Sequence, residues 1–147
     1  MIESKQTSSN ANKSLAKRFV EEVFNQGDMD IYDQLVADDY LNHNPPIAGL
    51  PGTKQGFRQA VVLTRQAFPD VHVGIEDMLA EGDRVMFRDT AKATHKADFQ
   101  GIPATDKRLI WTEMHFFRIA EGKIVEHWAN FDQLGILMQL GVFPRPE

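Results

Sequence analysis

From Val71 onward the hydrophobic period of the chain changes, and that change fixes the fold class. Before it, apolar residues recur at helical spacing. Leu15, Ala16, Phe19, Val20, Val23 and Phe24 form one stripe, and Phe57, Ala60, Val61, Thr64 and Phe68 form another. After it, apolar and polar residues alternate. VHVGIEDMLA, RVMFRDTAKATH, KRLIWTEMHFFRIA and KIVEHWANFD read as four long strands, with tight turns at EGDR and at Glu121–Gly122. Helices followed by hairpin-linked strands give an α+β layout, because each helical stripe must cover one face of the sheet.

Punctuation residues divide the helical half. Gly27 stands where a left-handed cap ends the first helix. Asp28 or Asp30 caps a second, whose inner face is Ile31, Tyr32, Leu35 and Val36. Tyr40 to Asn44 is extended and stops at Pro45–Pro46. Thr53 caps the third helix and Pro69 ends it. After the last strand, Gln133 to Leu140 forms a short C-terminal helix. Four long strands twist strongly. The expectation is a cone-shaped, strongly curved antiparallel sheet of about four long strands, covered by three N-terminal helices. The polar residues 1–12 read as a flexible arm, and 13–147 as one domain.

The totals exclude several functions. Net charge is −5 with no basic stripe, which argues against nucleic acid. The chain has no cysteine, so disulfides and cysteine-ligated metals are ruled out and a cytoplasmic setting fits. No apolar run nears the about 20 residues that cross a bilayer, and no signal-peptide segment opens the sequence. The five histidines show no metal-ligand spacing, so no metal is expected. A glycine-rich phosphate loop and a nucleophile elbow are both missing.

The last hairpin carries the chemistry. A two-residue loop at Glu121–Gly122 pairs Ala120 with Lys123. Continued without interruption, that register sets Phe117 opposite Glu126, His115 opposite Trp128, Glu113 opposite Asn130 and Trp111 opposite Asp132. All eight would share one face. Three carboxylates, a histidine, an amide and both tryptophans suit neither open solvent nor a dry core, and fit a pocket wall. A carboxylate beside an indole loses water, which raises its pKa toward neutral. Asp132 is thus the leading acid/base candidate, with a helix N-cap as its competing role. His115 comes second, against a satisfied core histidine, and Asn130 would steady an oxyanion. Trp111, Glu113, Phe117 and Trp128 would shape the pocket.

Weaker candidates lie elsewhere. Asn42 and Asn44 share a face if DYLNHNPP is extended, with turn chemistry as the plainer reading. Arg88 either pairs with a pocket carboxylate or lies on a rim. His43 has no assigned role. His95 closes a strand and reads as an exposed loop histidine, with a place at the pocket mouth as the alternative, and His72 reads as solvated.

FNQGDMDIYDQLVADDYLNHNPP, GTKQGFRQ, AFPDVHVGIEDMLAEGDRVMFR, ATHKADFQGIPATDK and GKIVEHWANFDQLGILMQLG, in this order, resemble SnoaL-like proteins. These are the polyketide-cyclase-like branch of the superfamily named after nuclear transport factor two. The resemblance runs from about Phe19 to Gly141. It implies a cone of curved sheet with three helices, a deep pocket, no metal or organic cofactor, and a homodimer through the sheet. Founding members close a ring by intramolecular aldol condensation, with an aspartate as acid/base and a histidine assisting. Asp132 matches the aspartate and His115, more loosely, the histidine. Related epoxide hydrolases use an Asp–Arg–Asp set. Here Asn130 stands at one of those aspartates, which argues against that chemistry, while Asn44 resembles the Asn that positions water in those hydrolases and Arg88 resembles the Arg. GIPATDK departs from the commoner GIPPTGK at Ala104 and Asp106.

Two functions follow from the pocket: a cofactor-independent cyclase or isomerase acting beside a carbonyl of a small, largely apolar substrate, or a module that binds such a ligand without chemistry. Epoxide or ester hydrolysis is a third.

Overall fold

The computed structural model describes residues 2–143. Four α-helices and five strands follow the order α1 (Ile2–Arg18), α2 (Met29–Leu35), β1 (Val36–Asn42), α3 (Lys54–Ala67), β2 (His72–Glu81), β3 (Arg84–Thr94), β4 (Arg108–Ala120), β5 (Lys123–Phe131) and α4 (Gln133–Leu140). Helical backbone therefore runs through residues 2–12, the segment whose polarity suggests an arm. After Arg18, α1 widens into a π-helical stretch, Phe19–Asn25. Its extra width keeps Phe19, Val20 and Val23 in the core, with Phe24 at the edge of the central cavity.

The caps follow from side-chain chemistry. Gly27 takes a left-handed φ of 73°. One carboxylate oxygen of Asp28 then accepts from the backbone N–H groups of Asp30 and Ile31, both at 3.1 Å. The Thr53 hydroxyl accepts from Gly56 N–H at the start of α3. Each satisfies donors that a helix N-terminus otherwise leaves unpaired.

The sheet order is β1-β5-β4-β3-β2. It has five strands where the sequence suggests about four, because the Tyr40 segment lengthens into β1 and pairs parallel with β5. The other pairings are antiparallel. Along β3, Val85, Phe87, Asp89, Ala91 and Ala93 point inward and are buried. Along β4 the inward set is Leu109, Trp111, Glu113, His115, Phe117 and Ile119. The helices close over this face. Phe19 packs edge-on to Phe117 at 5.7 Å and stacks on Phe57 at 6.1 Å, so α1 and α3 meet the sheet through aromatic rings.

The uninterrupted register does not hold. Ala120 pairs with Lys123 and Ile119 with Ile124, but Arg118 then pairs with Glu126. Val125 is an extra residue, a β-bulge. Beyond it Phe117 faces His127, Phe116 faces Trp128, His115 faces Ala129 and Met114 faces Asn130. The cause lies in burial. Ile124 and His127 are both buried, and Glu126 pairs outward with Arg118 at 2.8 Å. Strict alternation would turn Glu126 into the core and His127 out. The bulge avoids burying that charge and turns every later residue of β5 over.

Candidate active site

A cavity of about 230 Å³ opens between the inner face of the sheet, α3, α4 and the loop after β3. Its walls are apolar, with Phe24, Phe57, Phe68, Phe99, Trp111 and Phe131 among them. Glu113 and His115 bring polar atoms to the wall that β4 provides.

These two groups belong to a larger buried cluster. His115 Nε2 lies 2.8 Å from Glu113 Oε2, and Trp111 Nε1–H donates to the other Glu113 oxygen. His115 Nδ1 lies 2.8 Å from His127 Nε2, and His127 Nδ1 lies 2.8 Å from the Tyr40 hydroxyl. Asp89 comes from the neighbouring strand, with Oδ2 3.6 Å from His115 Nε2. Its side chain is fully buried and neither oxygen has a hydrogen-bond partner among the described residues. Burial pushes the Asp89 carboxyl up to about 8, and the negative charges of Glu113 and Glu76 add to the shift. It therefore holds a proton at neutral pH. Burial also drives the His127 imidazole well below its ordinary value, helped by His115, so His127 stays neutral. Asp89, Glu113 and His115 each present a ligand atom within 4.8 Å of the others, a separation one small cation can bridge. Sequence spacing could not reveal this, since Asp89 reaches the other two across the β3–β4 ladder. A cation there would have to displace the proton that joins His115 to Glu113.

The structure brings together only part of the face read from the sequence. Trp111, Glu113 and His115 line the cavity, while Phe117 is fully buried beneath it. Trp128 lies on the outer face, stacked on His43 at 4.6 Å with the Arg84 guanidinium 5.9 Å from its ring centre. Asn130 is exposed on that same outer face. Asp132 is exposed and its carboxylate accepts from Gly135 N–H at 3.0 Å, capping α4. It does not line the cavity, although its neighbours Phe131 and Gln133 do. Asn44 is likewise committed, its amide oxygen accepting from Ala129 N–H. Arg88 pairs with Asp77 at 2.9 Å in solvent. His95 is fully buried, not an exposed loop histidine, because its ring bonds Thr105 and packs on Phe68; it anchors the loop whose Phe99, Gln100 and Ile102 close over the cavity.

Asp89, His127 and Tyr40 are the members that sequence reasoning missed. Asp89 left a signal: it falls in phase with Val85, Phe87, Ala91 and Ala93, a carboxylate in an otherwise apolar row. His127 left none, because the bulge inverts its apparent side.

Comparison with known proteins agrees with this architecture. The family model for SnoaL-like polyketide cyclase matches residues 14–140. The chain belongs to that family. It is 32% identical over 143 residues to the aklanonic acid methyl ester cyclase of Streptomyces sp. (strain C5), covering 90% of this chain and 84% of the relative. It is 32% identical over 123 residues to the nogalonic acid methyl ester cyclase of Streptomyces nogalater, covering 81% and 90%. Among solved structures, wild-type IdmH of Streptomyces antibioticus superposes with a TM-score of 0.77 at 33% identity, covering 88% of this chain and 98% of that one. TsrD of Streptomyces laurentii gives 0.82 at 26% identity, covering 91% and 97%. Among the described residues of this SnoaL-like chain, no helix is long and apolar enough to cross a membrane.

Proposed function

We propose that this chain is a cofactor-independent cyclase that closes a ring on a polyketide ester by intramolecular aldol chemistry. One observation carries the reading: an apolar cavity meets a carboxylate and an imidazole that are hydrogen-bonded to each other. The curated relatives support it, since both are methyl ester cyclases.

In this reading Glu113 takes the proton from a carbon between carbonyl groups. His115 Nε2–H turns from Glu113 to the developing enolate oxygen, which a preorganised donor stabilises in a dry site. The enolate carbon attacks a second carbonyl carbon of the same molecule and one carbon–carbon bond forms. The new alkoxide takes the proton back from Glu113. Atoms and electrons balance without a cofactor, and the product is an isomer of the substrate. The aromatic walls hold the chain of carbonyls folded, which turns an encounter into a positioned reaction.

Asp132 does not take the acid/base role here, because its carboxylate caps α4 in solvent. We also assign a homodimer to the outer sheet face, where Met86, Ile110 and Met114 are exposed beside Phe116 and Trp128. Light scattering on the purified chain tests that assignment.

The deciding experiment follows ring closure of a polyketide methyl ester by mass spectrometry and chromatography. Glu113→Gln should lower kcat by about 10² to 10⁴, the usual range for losing an acid/base group. Turnover that survives Glu113→Gln and vanishes in Asp132→Asn would return the role to Asp132.

A further inference from the structure

We infer that Tyr40 and His127 are positioning residues that fix the tautomer of His115, so that its Nε2 carries a hydrogen and faces the cavity as a donor. This rests on the reading of Glu113 and His115 as the reacting pair.

The argument is a count of protons along one chain of hydrogen bonds. Tyr40 on β1, His127 on β5, and His115 and Glu113 on β4 are joined by three contacts of 2.8 Å each. The Tyr40 side chain is buried, and burial holds its phenol far above the ordinary value, so it keeps its O–H. Its hydroxyl lies 2.8 Å from His127 Nδ1, and the Asn42 side chain acts on the phenol as a hydrogen-bond donor, so among the described residues Nδ1 is left as the acceptor for the O–H. The O–H therefore donates there, and Nδ1 must be bare. A neutral imidazole carries one N–H, which leaves the His127 proton on Nε2. That N–H donates to His115 Nδ1, so His115 Nδ1 is bare too. The His115 proton then sits on Nε2, pointing at Glu113 and the cavity. Each link dictates the next, and the direction is set at the Tyr40 end.

The arrangement also resists the other tautomer of His115. A ring with its hydrogen on Nδ1 would aim that N–H at the N–H of His127. Relief would require His127 to move its proton to Nδ1, which faces the Tyr40 hydroxyl and would leave that O–H without an acceptor. The relay thus keeps an N–H donor beside Glu113. Neither Tyr40 nor His127 lines the cavity, so each acts only through His115.

The test uses the full chain labelled with ¹⁵N in its histidines. Long-range ¹H–¹⁵N spectra near neutral pH should show both rings protonated on Nε2 and bare on Nδ1. Tyr40→Phe keeps the ring and removes only the hydroxyl. It should leave the fold intact by circular dichroism, mix the His115 tautomers, and lower kcat about tenfold or more with little change in KM. His127→Gln keeps an amide donor and should retain more activity than His127→Leu. A wild-type His115 protonated on Nδ1, or a folded Tyr40→Phe protein with unaltered tautomers, overturns the inference. An Nε2–H tautomer in a protein that turns over no polyketide ester would leave the relay standing and remove the cyclase reading.

Discussion

Asp89 lies directly opposite Glu113 where β3 pairs with β4, and both Asp89 oxygens are buried without a hydrogen-bond partner among the described residues. Its carboxyl is raised to about 8 in the fold, from an ordinary value near 4 when unfolded. The folded state thus binds one more proton than the unfolded state between these values. Stability from this group is fully present below about pH 4, falls as pH rises, and is gone above about pH 8. Asp89→Asn should remove that loss. The melting temperature of the variant should exceed wild type by roughly 3 °C or more at pH 8.5, the shift that about 1 kcal/mol gives in a chain of this size. The gap should narrow steadily as pH falls and close by about pH 4. Thermal unfolding across pH reads it directly, and a constant difference would show that Asp89 does not hold the proton.

How much of this could be read from the sequence differs by element. The four long strands and the helical stripes were legible because burial imposes periods of 2 and 3.6 on the residue pattern. The inward set Trp111, Glu113, His115 and Phe117 was legible for the same reason, since nothing interrupts β4. β5 was not, because one extra residue at Val125 reverses every later side chain while leaving the alternation of residue types unchanged. Trp128 and Asn130 then looked inward, and His127 looked outward. β1 was half legible: the Tyr40 segment reads as extended, but its parallel partner is set by the tertiary fold. Asp132 carried two meanings in the sequence, cap and acid, and only coordinates show its oxygen accepting from Gly135 N–H.

Asp132→Ala should therefore behave as a cap mutation. Loss of an N-cap acceptor costs about 1 kcal/mol of stability. Denaturant unfolding should show that loss, while Asp132→Asn, which can still cap, should lie within a few tenths of wild type. Ring closure at saturating substrate should change by less than about threefold in either variant. A hundredfold drop in kcat for Asp132→Asn in a stable protein would contradict the cap role.

The proton that joins His115 to Glu113 gives a separate check on the chemistry. Three ligand atoms stand close enough to hold a cation, yet the proposed reaction balances with protons alone. Dialysis against a chelator should leave kcat unchanged, and added zinc should inhibit by displacing the shared proton. Loss of turnover on chelation, restored by one divalent metal, would replace the acid–base reading with metal-assisted enolisation.

Deleting Val125 tests the register itself. With Val125 gone, Glu126 follows Ile124 directly, and β5 can pair with β4 in strict alternation: Ile124 stays opposite Ile119, Glu126 opposite Arg118 and His127 opposite Phe117. Ile124, His127, Ala129 and Phe131 then keep the inner face, and Glu126, Trp128 and Asn130 the outer one. The His127 ring keeps its place, with its centre 4.8 Å from that of Phe117 and 5.2 Å from that of Phe57. The deletion should therefore fold cooperatively, and its cost should be limited to the half-buried valine and the local twist that a bulge adds. It should also keep the His115–His127 contact. Denaturant unfolding and the histidine ¹⁵N spectra check the two points. A deletion variant that cannot fold, or one that loses the His115–His127 contact, would mean that the bulge does more than offset the alternation of β5.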